Sequence, residues 1–462
     1  MSQLSEVGGW VEERLPTLLA DNRVPAAAVA IMAGDEIVDT ASGVLSKATG
    51  VEATTDSVFQ VGSITKLWTS TLVMQLADEG LLELDSTVRS YLPEFRIADE
   101  DAAAAITVRQ LLCHVAGFEG DIFTDTGRGD DCVEKYVATL ADVPQLFTPG
   151  QMFSYNNAGF CVLGRLVEVL RGKPYEQCLR EQLITPLGLT HTAHGPHEAI
   201  MYRAAVGHIS PSPDADPVPA PMWALAPSNA PAGSLLTMRP RDLLGFARMH
   251  LSDGTAADGT RVLSAASTRA MRERQVELPD LGLMGDAWGL GFELFDFPGG
   301  PVIGHDGGTI GQSAFLRMVP GAGVAVALLT NGGNPMPLYT EIVGTVLREL
   351  ADVQLPGMPV PAAEPPAVDA SRYVGTYSSS VADQVVSQDE AGRVWLRRTP
   401  KGIFVELGEP ETTVELVGWR GDTLLPREPE HGMHMPHAFV GEDGSGPARY
   451  LHTGRADPRV SS

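Results

Sequence analysis

Five lysines occur in 462 residues, and one of them follows a serine by three positions: Ser63-Ile64-Thr65-Lys66. On a helix, positions i and i+3 share one face, a turn apart. The segment stands where a helix is expected to start, so backbone N–H groups without helical partners face the same space. That combination suits nucleophilic catalysis. A serine hydroxyl needs a base, and a lysine becomes one when burial lowers its pKa by up to ~3–5 units and leaves it neutral. Ser63 is the candidate nucleophile and Lys66 its base.

Two further segments extend the centre. Ser154-Tyr155-Asn156-Asn157 carries Tyr-x-Asn at another expected helix start. Tyr155 there can relay a proton between nucleophile and leaving group, and Asn157 can hold a substrate amide. Gly304-His305-Asp306-Gly307-Gly308 reads as a strand whose glycines let a substrate backbone come close. The peptide N–H groups of Ser63 and Gly308 are then expected to form an oxyanion hole. His305 would position the acyl chain or tune Tyr155, with Asp306, Gly307 and Gly308 lining the substrate. Singly these residues read as an N-cap, a core phenol and a strand-end turn; in this order they point to one site.

The elements that must hold them follow from periodicity. AAAVAIMAG and EIVDTASG (residues 26–43) read as neighbouring strands joined at Gly34-Asp35. SITKLWTSTLVMQLADEG is helical, with Ile64, Leu67, Trp68, Leu72 and Leu76 at spacings of three and four and Gly80 as its stop. NAGFCVLGRLVEVLRG ends likewise at Gly172. GPVIGHDGG, QSAFLRMVP and GVAVALLTN read as consecutive antiparallel strands, and IVGTVLRELADV as a closing helix. Strands at both ends with helices between predict an α+β domain over 1–355. A Pro/Ala-rich linker follows at 356–368. Short alternating segments RYVGTY, RVWLRR, GIFVELG, TTVELVGW and RYLHTGR then predict a small antiparallel β-barrel over 369–462. Asp306 is costly to bury unpaired, so a tail cation, Arg449, is its expected partner. That pairing would bring the barrel to the mouth of the site.

The S-x-x-K, Y-x-N and H-x-G segments resemble those of the serine β-lactamase and penicillin-binding-protein superfamily. GLLELDSTVRSYLP, ITVRQLLCHVAGF and NNAGFCVLGRLVEVLRG extend the likeness to its class C, esterase and D-aminopeptidase branch over about residues 10–350. The resemblance implies a β-lactamase/transpeptidase fold, an antiparallel sheet flanked by helices plus a helical region, followed by a lipocalin-like barrel. One departure matters. The third motif is His305-Asp306-Gly307 where β-lactamases have Lys-Thr-Gly, so a cation suited to a β-lactam carboxylate is missing. The H-x-G variant, the barrel and FTDTGRGDD (123–131) resemble the penicillin-binding-protein-type thioesterases of nonribosomal peptide pathways. That implies a peptidyl carrier protein bearing a phosphopantetheine thioester as partner, a peptide substrate, and release by head-to-tail macrolactamisation. A serine esterase or D-amino-acid-specific peptidase would use the same residues. A non-catalytic binding protein would have no use for an intact Ser63, Lys66 and Tyr155.

Composition bounds the partners. The formal net charge of −25 opposes binding to nucleic acid or an anionic membrane, which need a basic face. No apolar stretch reaches transmembrane length, and the start MSQLSEVGGWVEERLPTLLADN lacks a basic stretch followed by an apolar run, so a cytoplasmic location is expected. Cys113, Cys132, Cys161 and Cys178 show no metal spacing and read as reduced thiols. His191, His194 and His197, and His431, His434 and His437, cluster in loops with Gly and Pro. His114 reads as structural. No metal or other cofactor is expected.

Overall fold

Ala26–Ala33 (β1) is apolar at every position, the pattern of a strand covered on both faces. A computed structural model of the protein describes residues 2–461, apart from 213–214, 283, 407, 431 and 442–445, and it shows how the covering is done. Ala26, Ala28, Ala30 and Met32 face a helical core, whereas Ala27, Val29 and Ile31 face the terminal helices. These are α1 (Gln3–Asp21), whose Pro16 lies inside the helix, and a closing helix, Gly344–Ala351. The sheet has nine strands. Besides β1 it contains β2 (Glu36–Ser46), β3 (Val51–Glu52), β4 (Val276–Glu277), β5 (Ala287–Trp288), β6 (Glu293–Phe297), β7 (Gly300–Thr309), β8 (Gln312–Val319) and β9 (Val324–Thr330). Their order is β3-β2-β1-β9-β8-β7-β6-β5-β4, so the first strand of the chain pairs antiparallel with the last of the sheet, Ala30 opposite Ala327.

On the other face of the sheet lies α2 (Thr65–Asp78), preceded by a 3₁₀ turn at Gly62–Ile64. The expected apolar stripe is present, with Ile64, Leu67, Trp68, Leu72 and Leu76 fully buried and Trp68 stacked 4.3 Å from Phe246. The polar positions Thr65, Lys66, Thr69, Ser70 and Thr71 are buried too, so α2 is a central helix rather than an amphipathic one. Thr69 donates to the Pro231 carbonyl and Thr71 to that of Leu67. A third helix, α3 (Asn157–Arg171), is capped by the Asn156 side chain, which accepts the Gly159 N–H, and stops at Gly172 with φ 65°.

The tail forms a closed eight-stranded barrel running from Gly375–Ser378 to Ala456–Ser461. Tyr373, Tyr377, Leu396, Leu416 and Phe439 fill it, so it is a packed core rather than a ligand cup. One expectation fails. GIFVELG is not a strand but carries a helical turn at Ile403–Glu406. The segments on either side of it, Val394–Pro400 and Thr412–Arg420, already pair with each other and leave no edge for it. Gly402 and Gly408, at φ 55° and 78°, bend the chain around the turn.

The sheet meets the start of α2 at Gly307. A Cβ built there would lie 1.9 Å from the Val61 carbonyl oxygen. Gly307→Ala should therefore push β7 away from the Gly62–Ile64 turn and cost about 1–3 kcal/mol of stability, the range for overpacking. Urea titration read by circular dichroism checks this, with unchanged stability as the contrary result.

Candidate active site

Backbone convergence around Ser63 depends on glycine. A Cβ at Gly62 (φ 51°) would meet Gly308 N at 2.8 Å, and one at Gly233 (φ 125°) would meet Gly62 O at 2.3 Å and Ser63 N at 2.9 Å. Together with Gly307 these residues bring the peptides of Ser63 and Gly308 side by side, as an oxyanion hole requires. Lys66 is fully buried. Its Nζ donates to Ser63 Oγ at 3.1 Å and to the Ala232 carbonyl at 2.6 Å. Burial pulls its pKa down to about 7, with the charge of Arg455 acting in the same direction. Lys66 is therefore a base that is half neutral near neutral pH.

Tyr155 is 5% exposed and sits in an aromatic box. The His114 ring stacks on it at 4.4 Å and Trp288 meets it edge-on at 5.8 Å. His114 accepts the Asn156 N–H through Nδ1 at 2.8 Å, so this histidine positions the second motif rather than acting as a second base. Lys66 Nζ lies 4.8 Å from the Tyr155 ring centre and the Arg455 guanidinium 4.9 Å from it. Burial raises the phenol pKa strongly, against which the neighbouring Ser63 hydroxyl and Arg455 act. The Tyr155 hydroxyl has no hydrogen-bond partner among the described residues. A phenol held protonated beside a lysine of depressed pKa leaves Lys66 able to accept a proton and Tyr155 able to pass one on, as the expected roles of base and relay require.

The barrel takes part in this arrangement through its terminal hairpin, Tyr450–His452 and Ala456–Ser461. Gly454 O accepts the Tyr155 N–H at 2.9 Å, His452 Nε2 donates to Phe153 O at 2.8 Å, and Ala456 N–H donates to Ser154 Oγ at 3.1 Å. The turn places Arg455 on Asp121, with Nε 2.7 Å from Oδ2, and Asn157 Nδ2 donates to Oδ1 of the same carboxylate at 2.6 Å. Asp121 thus ties Asn157, expected to bind substrate, to a cation from the barrel.

The third motif differs from expectation in its partner. Asp306 is held not by Arg449 but by Arg317 on the adjacent β8, in a two-point contact of 2.6 and 3.0 Å. Arg317 is opposite Gly304 across the ladder, a proximity set by strand register. The tail cation at the site is Arg455, at the other end of RYLHTGR. Arg449 lies before the hairpin, where its N–H donates to Val440 O. The turn residues Thr453-Gly454 were the available signal for a projecting side chain at 455. Asp121 and Glu293 carried no motif that would have marked them.

His305 is 1% exposed, and burial drops its pKa to about 3. Its Nδ1 lies 2.5 Å from the Asp306 carbonyl, which can only accept, so Nδ1 carries the proton and Nε2 is left as a bare acceptor. Glu293 Oε1 is 3.7 Å from that Nδ1. Burial and the nearby Asp306 raise the Glu293 pKa. A neutral imidazole therefore stands where a β-lactamase has its lysine.

Two chambers meet at Ser63, Gly308 and Arg455. The smaller, about 280 Å³, is lined by Asn157, Asn229, Gly233 and Ser234, with Phe123 and the barrel's Phe404. The larger, about 910 Å³, is lined by Tyr155, His305, Asp306 and Gly307 and reaches the barrel. Among the described residues no group of three metal-binding side chains converges. His191 approaches Asp56, His194 approaches Glu176, and His434 and His437 bond to backbone carbonyls; His431 lies outside the described residues.

A family model described as Beta-lactamase matches residues 11–346, and the chain belongs to that family of serine enzymes, which includes penicillin-binding proteins. Penicillin-binding protein 4 of Amycolatopsis lactamdurans is 45% identical over 367 residues, 79% of this chain and 96% of that one. The crystal structure of SurE, also solved with D-Leu, is 30% identical with a TM-score of 0.80, covering 99% of this chain and 100% of SurE. D-amino acid amidase of Ochrobactrum anthropi SV3, solved with L-phenylalanine amide, shares the fold at TM-score 0.63 and 23% identity, over 76% of this chain and 99% of the amidase.

The charges around Lys66 set a pH dependence. With Lys66 as the base, acylation should need its neutral form, so kcat/KM is expected to rise with pH through about 7. Arg455→Ala removes a positive charge that favours neutral Lys66, so the rising limb should move to higher pH as activity falls. Hydrolysis of an activated ester from pH 5 to 9 measures both; an unmoved limb would mean that Arg455 does not act on Lys66.

Proposed function

We propose that this enzyme takes a peptidyl group from the phosphopantetheine thioester of a peptidyl carrier protein onto Ser63. It then releases the peptide by attack of the peptide's own N-terminal amine, giving a head-to-tail macrolactam in a nonribosomal peptide pathway of the cytoplasm. The observation that carries this reading is the pair of chambers meeting at Ser63. Asn157 lines only the smaller chamber, which suits the amide of the acyl group. Tyr155 lines only the larger, so the proton passing to a departing thiol or from an entering amine is handled there. A hydrolase needs room only for water on that side, whereas about 910 Å³ suits the far end of a folded-back peptide. The likeness to SurE over both domains, and its structure with D-Leu, support an acyl residue of D configuration. Among the described residues no helix is long and apolar enough to cross a membrane.

The chemistry balances on the residues present. Neutral Lys66 takes the Ser63 proton as Oγ attacks the thioester carbonyl, and the N–H groups of Ser63 and Gly308 bind the oxyanion. Tyr155 protonates the departing sulfur and is reprotonated from Lys66. In the second half the amine attacks the ester carbonyl, gives its proton to the relay, and Ser63 Oγ leaves with that proton. Water at about 55 M competes with an intramolecular amine whose effective molarity can reach about 10⁵–10⁸ M. A serine esterase or D-specific peptidase is the second reading, favoured by the amidase-like fold.

A synthetic peptide thioester on a pantetheine arm, with a D-configured C-terminal residue, separates the two. The expected product is lighter than the linear acid by about 18 Da, one water. Ser63→Ala should lose roughly 10⁶-fold in kcat and show no acyl adduct by intact mass. Linear acid alone, across peptides ending in D or L residues, would leave the esterase or peptidase reading.

A further inference from the structure

The wall of the larger chamber has a composition that acyl transfer by itself does not require. Four methionines, Met284, Met336, Met433 and Met435, line it together with Phe315 and Pro335. They come from separate parts of the chain: the loop before β5, the segment after β9, and a barrel loop. All four keep some surface, and Met435 is 38% exposed although it is a large apolar side chain. A Cβ built at Gly454, on the terminal hairpin, would come within 2.3 Å of Met284 Sδ, so Met284 is packed against the turn that carries Arg455. Methionine is unbranched and polarizable and adapts to apolar partners of different shape.

The charges in the chamber do not favour an ammonium group. Asp306 faces it, but both carboxylate oxygens are already taken by Arg317. Glu293 is buried with a raised pKa. Arg455, where the chambers meet, repels a cation. An amine entering beside Ser63 is therefore driven towards its neutral form, which is the form that attacks. Arg23 adds a second positive charge to the lining, Ser210, Ser313 and Asn334 offer neutral polar groups, and the apolar wall is the part suited to an apolar side chain next to the amine.

We infer that the larger chamber is the binding subsite for the attacking amine, and that its methionine-lined wall selects a peptide N-terminal residue with a bulky apolar side chain. The inference rests on the acyl-transfer reading above. The leaving pantetheine arm occupies the same side before it departs, and the N-terminal residue takes its place.

The test uses the full-length enzyme and acyl thioesters that share one acyl residue. Cyclic-to-linear product ratios are measured for peptides with N-terminal Leu, Gly or Asp. In parallel, acyl-enzyme is offered free leucinamide, glycinamide or aspartic acid amide, and its capture is measured against hydrolysis. Leucine should be favoured about tenfold or more over glycine and aspartate in both, the scale of discrimination by an apolar pocket. Met433→Asp with Met435→Asp should erase that preference. Equal capture of the three amines overturns the inference, and so does a fall in acylation rate as large as the fall in capture, which would place the leaving arm on the wall. Capture of leucinamide without any cyclic product keeps the subsite and removes the head-to-tail reading. Hydrolysis alone, with no amine captured, removes both.

Discussion

A lysine with no exposed surface sits at the start of a helix packed on every side, and the chemistry of this site depends on that burial. In water Lys66 would be protonated and useless to Ser63; at a pKa of about 7 it is a base. Burial on this scale destabilises a cation unless its donors are satisfied, and Ser63 Oγ and the Ala232 carbonyl accept two of them. The same burial raises the pKa of Tyr155 and lowers those of His305 and His114. A dry site thus keeps the phenol and both imidazoles uncharged, leaving Lys66, and Glu293 whose pKa burial raises to about 8, as groups of the site that change charge near neutral pH.

The barrel cannot be considered apart from this site. Its terminal hairpin bonds to the backbone of Phe153 and Tyr155 and to the Ser154 side chain, and its Arg455 meets the Asp121 that holds Asn157. An arginine close to Lys66 favours the neutral amine at a distance, without donating a hydrogen bond to it. Asp121 holds that arginine in place and keeps the added charge from being uncompensated. The fold therefore sets the base from two directions, by desolvation from the first domain and by charge from the second.

The third motif shows how a lost lysine changes a site. With His305 neutral and Asp306 bound to Arg317, β7 presents a bare imidazole nitrogen and a carboxylate already paired. Anion recognition on that strand is weakened, and the adjoining space is lined by methionine instead. Such a surface accommodates apolar groups of varied shape, a different recognition problem from holding a carboxylate.

Several of these features were legible in the sequence because they are local. A serine and lysine three apart on a helix, a Tyr-x-Asn at a helix start, and glycines in a strand are decided within a few residues, and so are the helix stops at Gly80 and Gly172. The α+β domain and the barrel followed from alternation and periodicity. What only the tertiary structure decided involves residues far apart in the chain. Arg317 rather than Arg449 meets Asp306 because antiparallel register places it on the adjacent β8, opposite Gly304 and two residues along the ladder from Asp306, and Arg455 rather than Arg449 reaches the site because Gly454 turns the hairpin onto Tyr155. The GIFVELG segment has strand-forming residues but no free edge to join. That Lys66 must be neutral followed from its place beside Ser63, but the burial that makes it so, and the protonation of Tyr155 and His305, were out of reach of the sequence. A pKa is set by how much water and which charges surround a group, and those neighbours are assembled only when segments hundreds of residues apart pack together.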